Sequence, residues 1–438
     1  MRLRVQIRNW QGLFLPLWFT DNANALFGWL WLIVVILFLR TVWRAYRDFR
    51  TGEYVGTIAW SYLQITVPED SPQTPTSMEH AFEVWDGLHK GGDLIEYFFD
   101  GYMEAWYSCE IHCTRGRARY IMVVPAAHRT FFEGVIYGQY PTAEIREVED
   151  YTQRYSWRDL HTTLDLYGTE MILSNDDIFP IKTYRSYEDL LAEDDRFIDP
   201  HQALVEAYTN VNEDEEFWVQ ILVRPISGQD IQAWASKGEA EIAKLAGKEE
   251  KISVPWYLSL LTALFQLPID ALRAFLEGPL EPVKKKNGGG VDIPKVSVSD
   301  TARMDGILHK IDRGAFRVKI RILYLAPYGK LTKPNISRAI GGFKQFNTYN
   351  LNGFRPDPGT KTNDPSYILK DVRRKRRKRN ILVNYQTRDF WGYTSGYMLS
   401  PEELATLYHF PTKYARTPSL ERAKAGVGSA PDNVPIPR

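Results

Sequence analysis

The residue types that could do chemistry gather in a few short stretches. YSCEIHCTR holds the only two cysteines, Cys109 and Cys113, with His112 between them, a donor set that suits zinc. Their β-favouring neighbours make this a strand, where positions four apart stand roughly 13 Å from each other and His112 turns to the opposite face. No metal site is therefore expected. Two cysteines are also no disulfide framework, and they fit a reducing compartment. Carboxylates cluster at Asp176-Asp177, at Glu193-Asp194-Asp195 and from Glu213 to Glu216, in polar turns that read as solvated loops. GxxxxGK[ST], GxGxxG, GxSxG, HExxH and CxxC pairs do not occur; APYGKLTK lacks the first glycine of a phosphate loop, and eight scattered histidines suggest no triad. The expectation is a protein without catalytic residues, cofactor or metal, hence not an enzyme.

The sharpest local charge is RRKRRKR: Arg373, Arg374, Lys375, Arg376, Arg377, Lys378 and Arg379. Like charges this close repel, so the segment is expected to be extended and exposed unless an anionic surface neutralises it. Nucleic-acid phosphates, anionic lipid headgroups or an acidic protein patch would serve, and binding to DNA would ignore sequence and weaken steeply with salt. A second stretch, SPEELATLYHFP, carries structural chemistry. Ser400 is placed as an N-cap, Pro401 at the first helical position and Glu403 to complete a capping box. Leu404, Leu407 and Tyr408 form an apolar stripe and Pro411 ends the helix. So short a helix is unstable alone and must lean on the rest of the fold.

The elements that hold these residues begin with an anchor. ALFGWLWLIVVILFLRTVW, residues 25–43, has no charge before Arg40 and as a helix would run roughly 28 Å, close to a bilayer's hydrocarbon core. Arg40, Arg44, Arg47 and Arg50 crowd its C-terminal flank, which predicts a single-pass protein of the cell (inner) membrane with the large domain cytoplasmic; Arg2, Arg4 and Arg8 pull the other way. LFLPLWF ahead of the span is too short to cross and reads as interfacial. The 438 residues together balance 54 cations against 54 anions, so any attraction to nucleic acid or lipid is local.

The soluble part reads as α+β. TIAWSYLQITVP alternates as a strand. A helix follows from Thr76 or Ser77, with Met78, Ala81, Phe82, Trp85 and Leu88 at helical spacing. EAWYSCEIHCT and RARYIMVVP form a hairpin about Arg115-Gly116, AAHRTFFEGVIYGQYP a helix and TAEIREVED a strand. That β-α-β-β-α-β order over 55–152 is a ferredoxin-like split βαβ unit. A second such unit is expected over 160–410, with strands at TLDLYGTEMIL, FPIKTYRSY, EEFWVQILVRPI and RVKIRILYLAP, and helices at DPHQALVEAYTNV, 230–245 and ISRAIGGFKQF. An apolar helical insertion at about 250–295 interrupts it. Within it, residues 254–278 either rest on the bilayer or pack as a helical hairpin, and PVKKKNGGG is a flexible linker. Residues 411–438 read as an extended Pro-rich tail.

LSPEELATLYHFP, continued by TPSLERAKAGVGSAPDNVPIP, resembles the end of an uncharacterised domain of bacterial membrane proteins associated with type IV secretion and conjugation. GQYPTAEIREVEDYT (138–152) and FWVQILVRP (217–225) are similar to other blocks of that domain, and together they spread the likeness over about 55–437. The resemblance implies a non-enzymatic, membrane-anchored accessory or scaffold subunit of a type IV secretion or conjugative DNA-transfer machine. It would recruit a separate TraG/TraD-like or HerA-like P-loop ATPase in trans, with DNA as a further partner and an oligomer compatible with the role. The residues alone also allow a membrane-tethered nucleic-acid-binding protein acting through the basic tract.

Overall fold

The computed structural model describes residues 17–68, 71–93, 95–114, 116–187, 199–247, 297–363, 369–392 and 394–412. The chain forms two compact units, residues 1–59 with 90–104, and residues 60–89 with 105–438.

In the first unit, helix α1 (Leu17–Gly56) contains the whole stretch read as a span and runs past residue 50. LFLPLWF enters it at Leu17, and its first residues lie outside the described part. Along α1, Trp31, Leu32 and every residue from Val34 to Phe49 are exposed. Among the described residues, no helix is long and apolar enough to cross a membrane. Residues 90–104 form a loop with one π-helical turn, Glu96–Asp100.

The second unit is built on one antiparallel nine-stranded sheet. Its elements are β1 (Trp60–Thr66), α2 (Pro75–Asp86), β2 (Tyr107–Thr114), β3 (Arg117–Pro125), α3 (Arg129–Gln139), β4 (Glu144–Glu147), β5 (Leu164–Leu173), α4 (Pro200–Thr209), β6 (Glu216–Arg224) and α5 (Gly228–Leu245). They continue with α6 (Val298–Ile311), β7 (Phe316–Pro327), α7 (Lys333–Gly341), β8 (Phe354–Pro356), α8 (Lys370–Gln386), β9 (Tyr397–Leu399) and α9 (Pro401–Leu407). The strands lie in the order β4-β1-β3-β2-β6-β7-β5-β8, with β9 on β7. Each half thus places its fourth, first, third and second strands in turn, and the halves meet head-on at their second strands. The joint is a full ladder from Tyr107↔Val223 to Thr114↔Glu216. The separate domains expected over 55–152 and 160–410 are therefore one continuous sheet.

Several elements follow their sequence signals. Met78, Ala81, Phe82 and Trp85 of α2 are buried as their spacing predicts, and Gly116 supplies the left-handed turn (φ 69°) of the β2–β3 hairpin. FPIKTYRSY does not follow its signal: it carries a 3-10 turn, Tyr184–Tyr187, and no strand. Two of its N–H groups go to side chains instead of a ladder, Ile181 N to Glu403 Oε1 (2.8 Å) and Tyr184 N to Thr406 Oγ1 (2.9 Å), while Lys182 N reaches the Phe346 carbonyl (2.9 Å). Helix α6 and strands β8 and β9 carry signals too weak or too short to be read beforehand. The apolar insertion, PVKKKNGGG, Glu193-Asp194-Asp195 and the tail from residue 413 lie outside the described residues.

The sheet buries both faces, with different chemistry. One is apolar: Cys109, Ile111 and Cys113 of β2, Val219 and Ile221 of β6, and Ile320 and Ile322 of β7 join Phe82, Phe132, Leu204, Phe343 and Leu404 in a single core. At roughly 25 cal/mol per Å2 of apolar surface buried, this core supplies most of the driving force for folding. On the opposite face a smaller cluster, Leu164, Leu166, Trp218, Leu323 and Leu325, meets Ile381, Leu382 and Tyr385 of α8. Beside that cluster lies a row of charge.

Candidate functional site

Register alone builds this row. Glu110 of β2 stands opposite Gln220 of β6, Gln220 opposite Arg321 of β7, and Arg321 opposite Glu170 of β5. Side chains directly across a ladder point to the same face, so four strands deliver four polar side chains to one line, and all four are buried. Gln220 Nε2 donates to Glu110 Oε1 (3.0 Å), Arg321 Nη1 to Gln220 Oε1 (3.0 Å) and Arg321 Nε to Glu170 Oε1 (3.0 Å). The turn after α8 closes over the row. Arg388, at φ 51°, reaches Glu110 (Nε–Oε1 3.1 Å, Nη2–Oε2 3.2 Å) and Asp150 (Nη1–Oδ2 2.6 Å, Nη2–Oδ1 2.9 Å). Ser108, Tyr151 and Thr394 donate to the carboxylates of Glu110, Glu110 and Glu170, and Arg321 reaches the carbonyls of Asn384 and Asp389.

Electrostatics here follow from burial and pairing. Burial works against the Arg388 charge, but the carboxylates of Glu110 and Asp150 outweigh it and hold the guanidinium pKa well above its ordinary value. Burial likewise pushes the Asp150 carboxyl up, and the bonds and charge of Arg388 bring it below the usual range. Lys319, next on the same face of β7, is brought down to about 8, first by burial and then by Arg321, with Glu170 opposing. Its ammonium donates to the Gly392 carbonyl. The result is an ion network that ties the end of α8, Arg388, Asp389, Gly392 and Thr394 to the sheet. Such groups are costly to bury unpaired, and here their oxygens and N–H groups are met.

The basic tract is correspondingly not extended. It forms the N-terminal turns of α8, because Arg and Lys are good helix formers and because Ile381, Leu382 and Tyr385 fasten the C-terminal half to the sheet. The seven cations then divide. Lys378 is buried and paired with Asp165, Arg377 donates to the Lys361 carbonyl (2.9 Å), and Arg374 is paired with Asp371 (2.5 Å). Arg373, Lys375, Arg376 and Arg379 are exposed, Arg379 lying over the Trp157 ring (4.1 Å). Their field is felt at His161, whose pKa burial lowers first and Lys378, Lys375 and Arg374 lower further, against Asp165. Cations in the first turn oppose the helix dipole, and Asp371 in the same turn offsets them in part.

The short C-terminal helix, α9, has the capping box its sequence specifies: Ser400 Oγ accepts from Glu403 N (3.3 Å) and Glu403 Oε2 from Ser400 N (2.8 Å). Glu403 does more than cap. Its Oε1 takes the Ile181 N–H and its Oε2 lies 3.0 Å from Lys310 Nζ, both side chains 1% exposed. Beyond α9, Tyr408 packs on Tyr120 and His409 Nε2 lies 3.0 Å from Asp199 Oδ1. Every residue from Pro401 to Phe410 is buried, so the helix is a central part of the core.

Residues 78–423, most of the chain, match the family model described as Domain of unknown function (DUF8128). The chain belongs to the DUF8128 family. No curated protein matches it. The DUF8128 match takes in both halves of the ion row, the basic tract and Ser400 and Glu403, whereas α1 and β1 precede it. Within the DUF8128 domain the Glu213 to Glu216 cluster divides: Glu213 and Asp214 are exposed in a turn, as read, whereas Glu215 accepts from Tyr324 Oη (2.7 Å) and Asn335 Nδ2 (3.0 Å), and Glu216 from Trp218 Nε1 (2.8 Å) and Tyr155 Oη (3.0 Å), with His112 Nε2 at 3.0 Å. Asp177 likewise accepts from Met398 N and Trp234 Nε1. Glu213, Asp214 and Glu216 border a cavity of about 490 Å3 with Thr114, Arg119, Arg154 and Tyr155. Among the described residues, no three His, Cys, Asp or Glu side chains are grouped to hold a metal ion. Cys109 and Cys113 lie buried on the apolar face, burial raising both thiols, and His112 lies on the other face against Tyr151.

Sequence reasoning missed the ion row because its partners are remote: Arg388 and Glu110 are 278 residues apart. The one usable signal was two Glu, a Gln and an Arg at mid-strand, where apolar residues are the rule.

Proposed function

We propose that the chain is a non-enzymatic, membrane-anchored scaffold subunit of a type IV secretion or conjugative DNA-transfer machine that recruits a separate P-loop ATPase. The observation that carries the anchor is the exposed apolar row of α1. Trp31, Leu32 and the residues from Val34 to Leu39 lie on all sides of the helix, without a charge before Arg40, which in water is a large unfavourable surface and in lipid is not. Exposed Arg40, Arg44 and Arg47 on its C-terminal flank favour a cytoplasmic DUF8128 domain at the inner membrane. The secretion role comes from the resemblance at 138–152, 217–225 and 399–437. The buried, mutually satisfied ion row supports a structural rather than a catalytic use of the domain's charged groups. Each half of the sheet we read as a ferredoxin-like unit, supported by its strand order and by α2, α3, α4 and α7 connecting the strands. Affinity purification of the full chain from native membranes tests the role. A co-purifying P-loop ATPase is the expected result, and the chain alone in repeated preparations contradicts it.

The exposed cations of α8 favour one second reading, sequence-independent DNA binding. Under it, DNA retention falls steeply with salt and is lost when Arg373, Lys375, Arg376 and Arg379 become Gln. Retention that this variant keeps would rule the reading out.

A further inference from the structure

The loop of residues 90–104 presents large apolar side chains to the outside while being firmly built from within. Ile95 is 64% exposed, Tyr97 42%, Phe98 41% and Phe99 59%. A mobile loop would be the ordinary explanation for such exposure, but this one is tied down at both ends and along its length. At its base the Glu104 carboxylate accepts from Lys90 N (3.1 Å) and Gly91 N (3.4 Å). Its turn is held by Ile95 N to Asp93 Oδ1 (3.1 Å) and Asp93 N to Glu96 Oε2 (3.0 Å).

The loop also lies directly on α1. Arg50 Nε donates to the Phe99 carbonyl (2.8 Å), the Phe98 ring meets Trp43 (5.8 Å) and Tyr102 meets Tyr54 (5.5 Å). Gly101, at φ 68°, comes so close that a Cβ there would stand 2.4 Å from the Arg50 carbonyl carbon. Only glycine permits both that backbone angle and that approach.

We infer that residues 95–99 are an aromatic wedge that α1 holds in the headgroup layer of the bilayer, a second membrane contact beside the spanning helix. The inference rests on the anchor reading of α1. Its occupant is set by continuity and charge. Phe98 docks on Trp43, four residues beyond Leu39, the last apolar residue of the row, or about 6 Å along a helix axis. Trp43, Tyr46 and Phe49 carry the exposed aromatic surface on along α1, where amphipathic rings are favoured at the lipid–water boundary. Arg40, Arg44 and Arg47 are exposed at the same level and suit anionic headgroups. A wedge there fixes the depth of α1, which a plain apolar helix does not.

The test uses the full chain reconstituted in phosphatidylcholine–phosphatidylglycerol vesicles, with an environment-sensitive fluorophore on single introduced cysteines. Cys109 and Cys113 are buried and stay unlabelled, which the mock-treated parent verifies. Labels at Ile95→Cys and Phe99→Cys are expected to emit to the blue of one at the fully exposed Tyr349→Cys, and to be quenched more by a lipid carrying its quencher near the headgroup than by one carrying it near the chain end. A label at Leu37→Cys reports the anchor and should show the opposite preference. If Leu37→Cys lies in lipid while both loop labels match Tyr349→Cys, the wedge is overturned and the anchor stands. Loop labels in lipid with Leu37→Cys in water would keep the loop contact and overturn the anchor. Three labels in water overturn both.

Discussion

The two units of this chain invert each other's chemistry. In the first, α1 and the 90–104 loop expose Trp31, Phe38, Phe49 and Phe99. In the second, Glu110, Glu170, Arg321 and Arg388 are buried between the sheet, α8 and the turn that follows. A buried charge is stable only where other groups replace its hydration, and the DUF8128 domain supplies those groups itself, oxygen by oxygen. The exposed apolar row finds no such answer among the described residues, and under the proposed anchor reading its solvent is the bilayer. The contrast predicts that the sheet is self-sufficient and the N-terminal unit is not.

The largest effect expected is in the ion row. Arg388→Ala leaves Glu110 and Asp150 buried with no cation and should cost about 3–5 kcal/mol, read as a lower denaturation midpoint. A variant as stable as the parent would show that the row is decoration. Glu403→Ala removes its half of the capping box, the Ile181 bond and the partner of Lys310, and should approach the same range. Ser400→Ala removes the cap hydrogen bond alone and should cost about 1 kcal/mol. Equal losses for the two would mean that Glu403 acts only as a cap.

Acid should weaken the sheet domain at a second place. His201 packs against His409 (ring centroids 4.8 Å) and near Tyr120, and burial, then His409, lowers its pKa to about 3, against Asp199. An unfolded histidine titrates near 6.5, so between about 6.5 and 3 the unfolded chain takes up a proton that the folded one refuses. Stability is whole above that window and falls progressively as pH drops through it. Asp199, whose pKa is lowered despite its burial by the adjacent His409, adds loss in the same direction at the acid end. His201→Gln should flatten the stability–pH curve across this window, and an unchanged curve would place the acid sensitivity elsewhere. The smallest effect on folding belongs to α8: replacing Arg373, Lys375, Arg376 and Arg379 by Gln should leave the stability within about 0.5 kcal/mol, because all four are exposed and Arg379 gives up only its place over the Trp157 ring. A large loss would mean that they hold the fold together.

The sequence was informative where the fold depends on short-range pattern. Alternation located β1, strand-like runs located β2 to β7, 3.6-residue spacing located α2, and the capping box at Ser400 and Glu403 appears as written. Long-range information was absent. Nothing local says that β2 pairs with β6 and so welds two halves into one sheet. RRKRRKR misled because repulsion among neighbouring cations is weak beside the anchoring of Ile381, Leu382 and Tyr385, which carries the whole segment into a helix. FPIKTYRSY misled because two of its N–H groups are met by Glu403 and Thr406 of α9, more than two hundred residues on. Carboxylates such as Glu215 and Glu216, read as solvated, are buried for the same reason: Tyr324, Asn335, Trp218 and Tyr155 reach them only in three dimensions.

Alkaline carbonate extraction of membranes from cells making the full chain tests the central claim most directly. The account predicts that the chain stays in the membrane pellet after extraction and leaves it only with detergent. Recovery of the full-length chain in the supernatant without detergent, as a monodisperse particle, would contradict it.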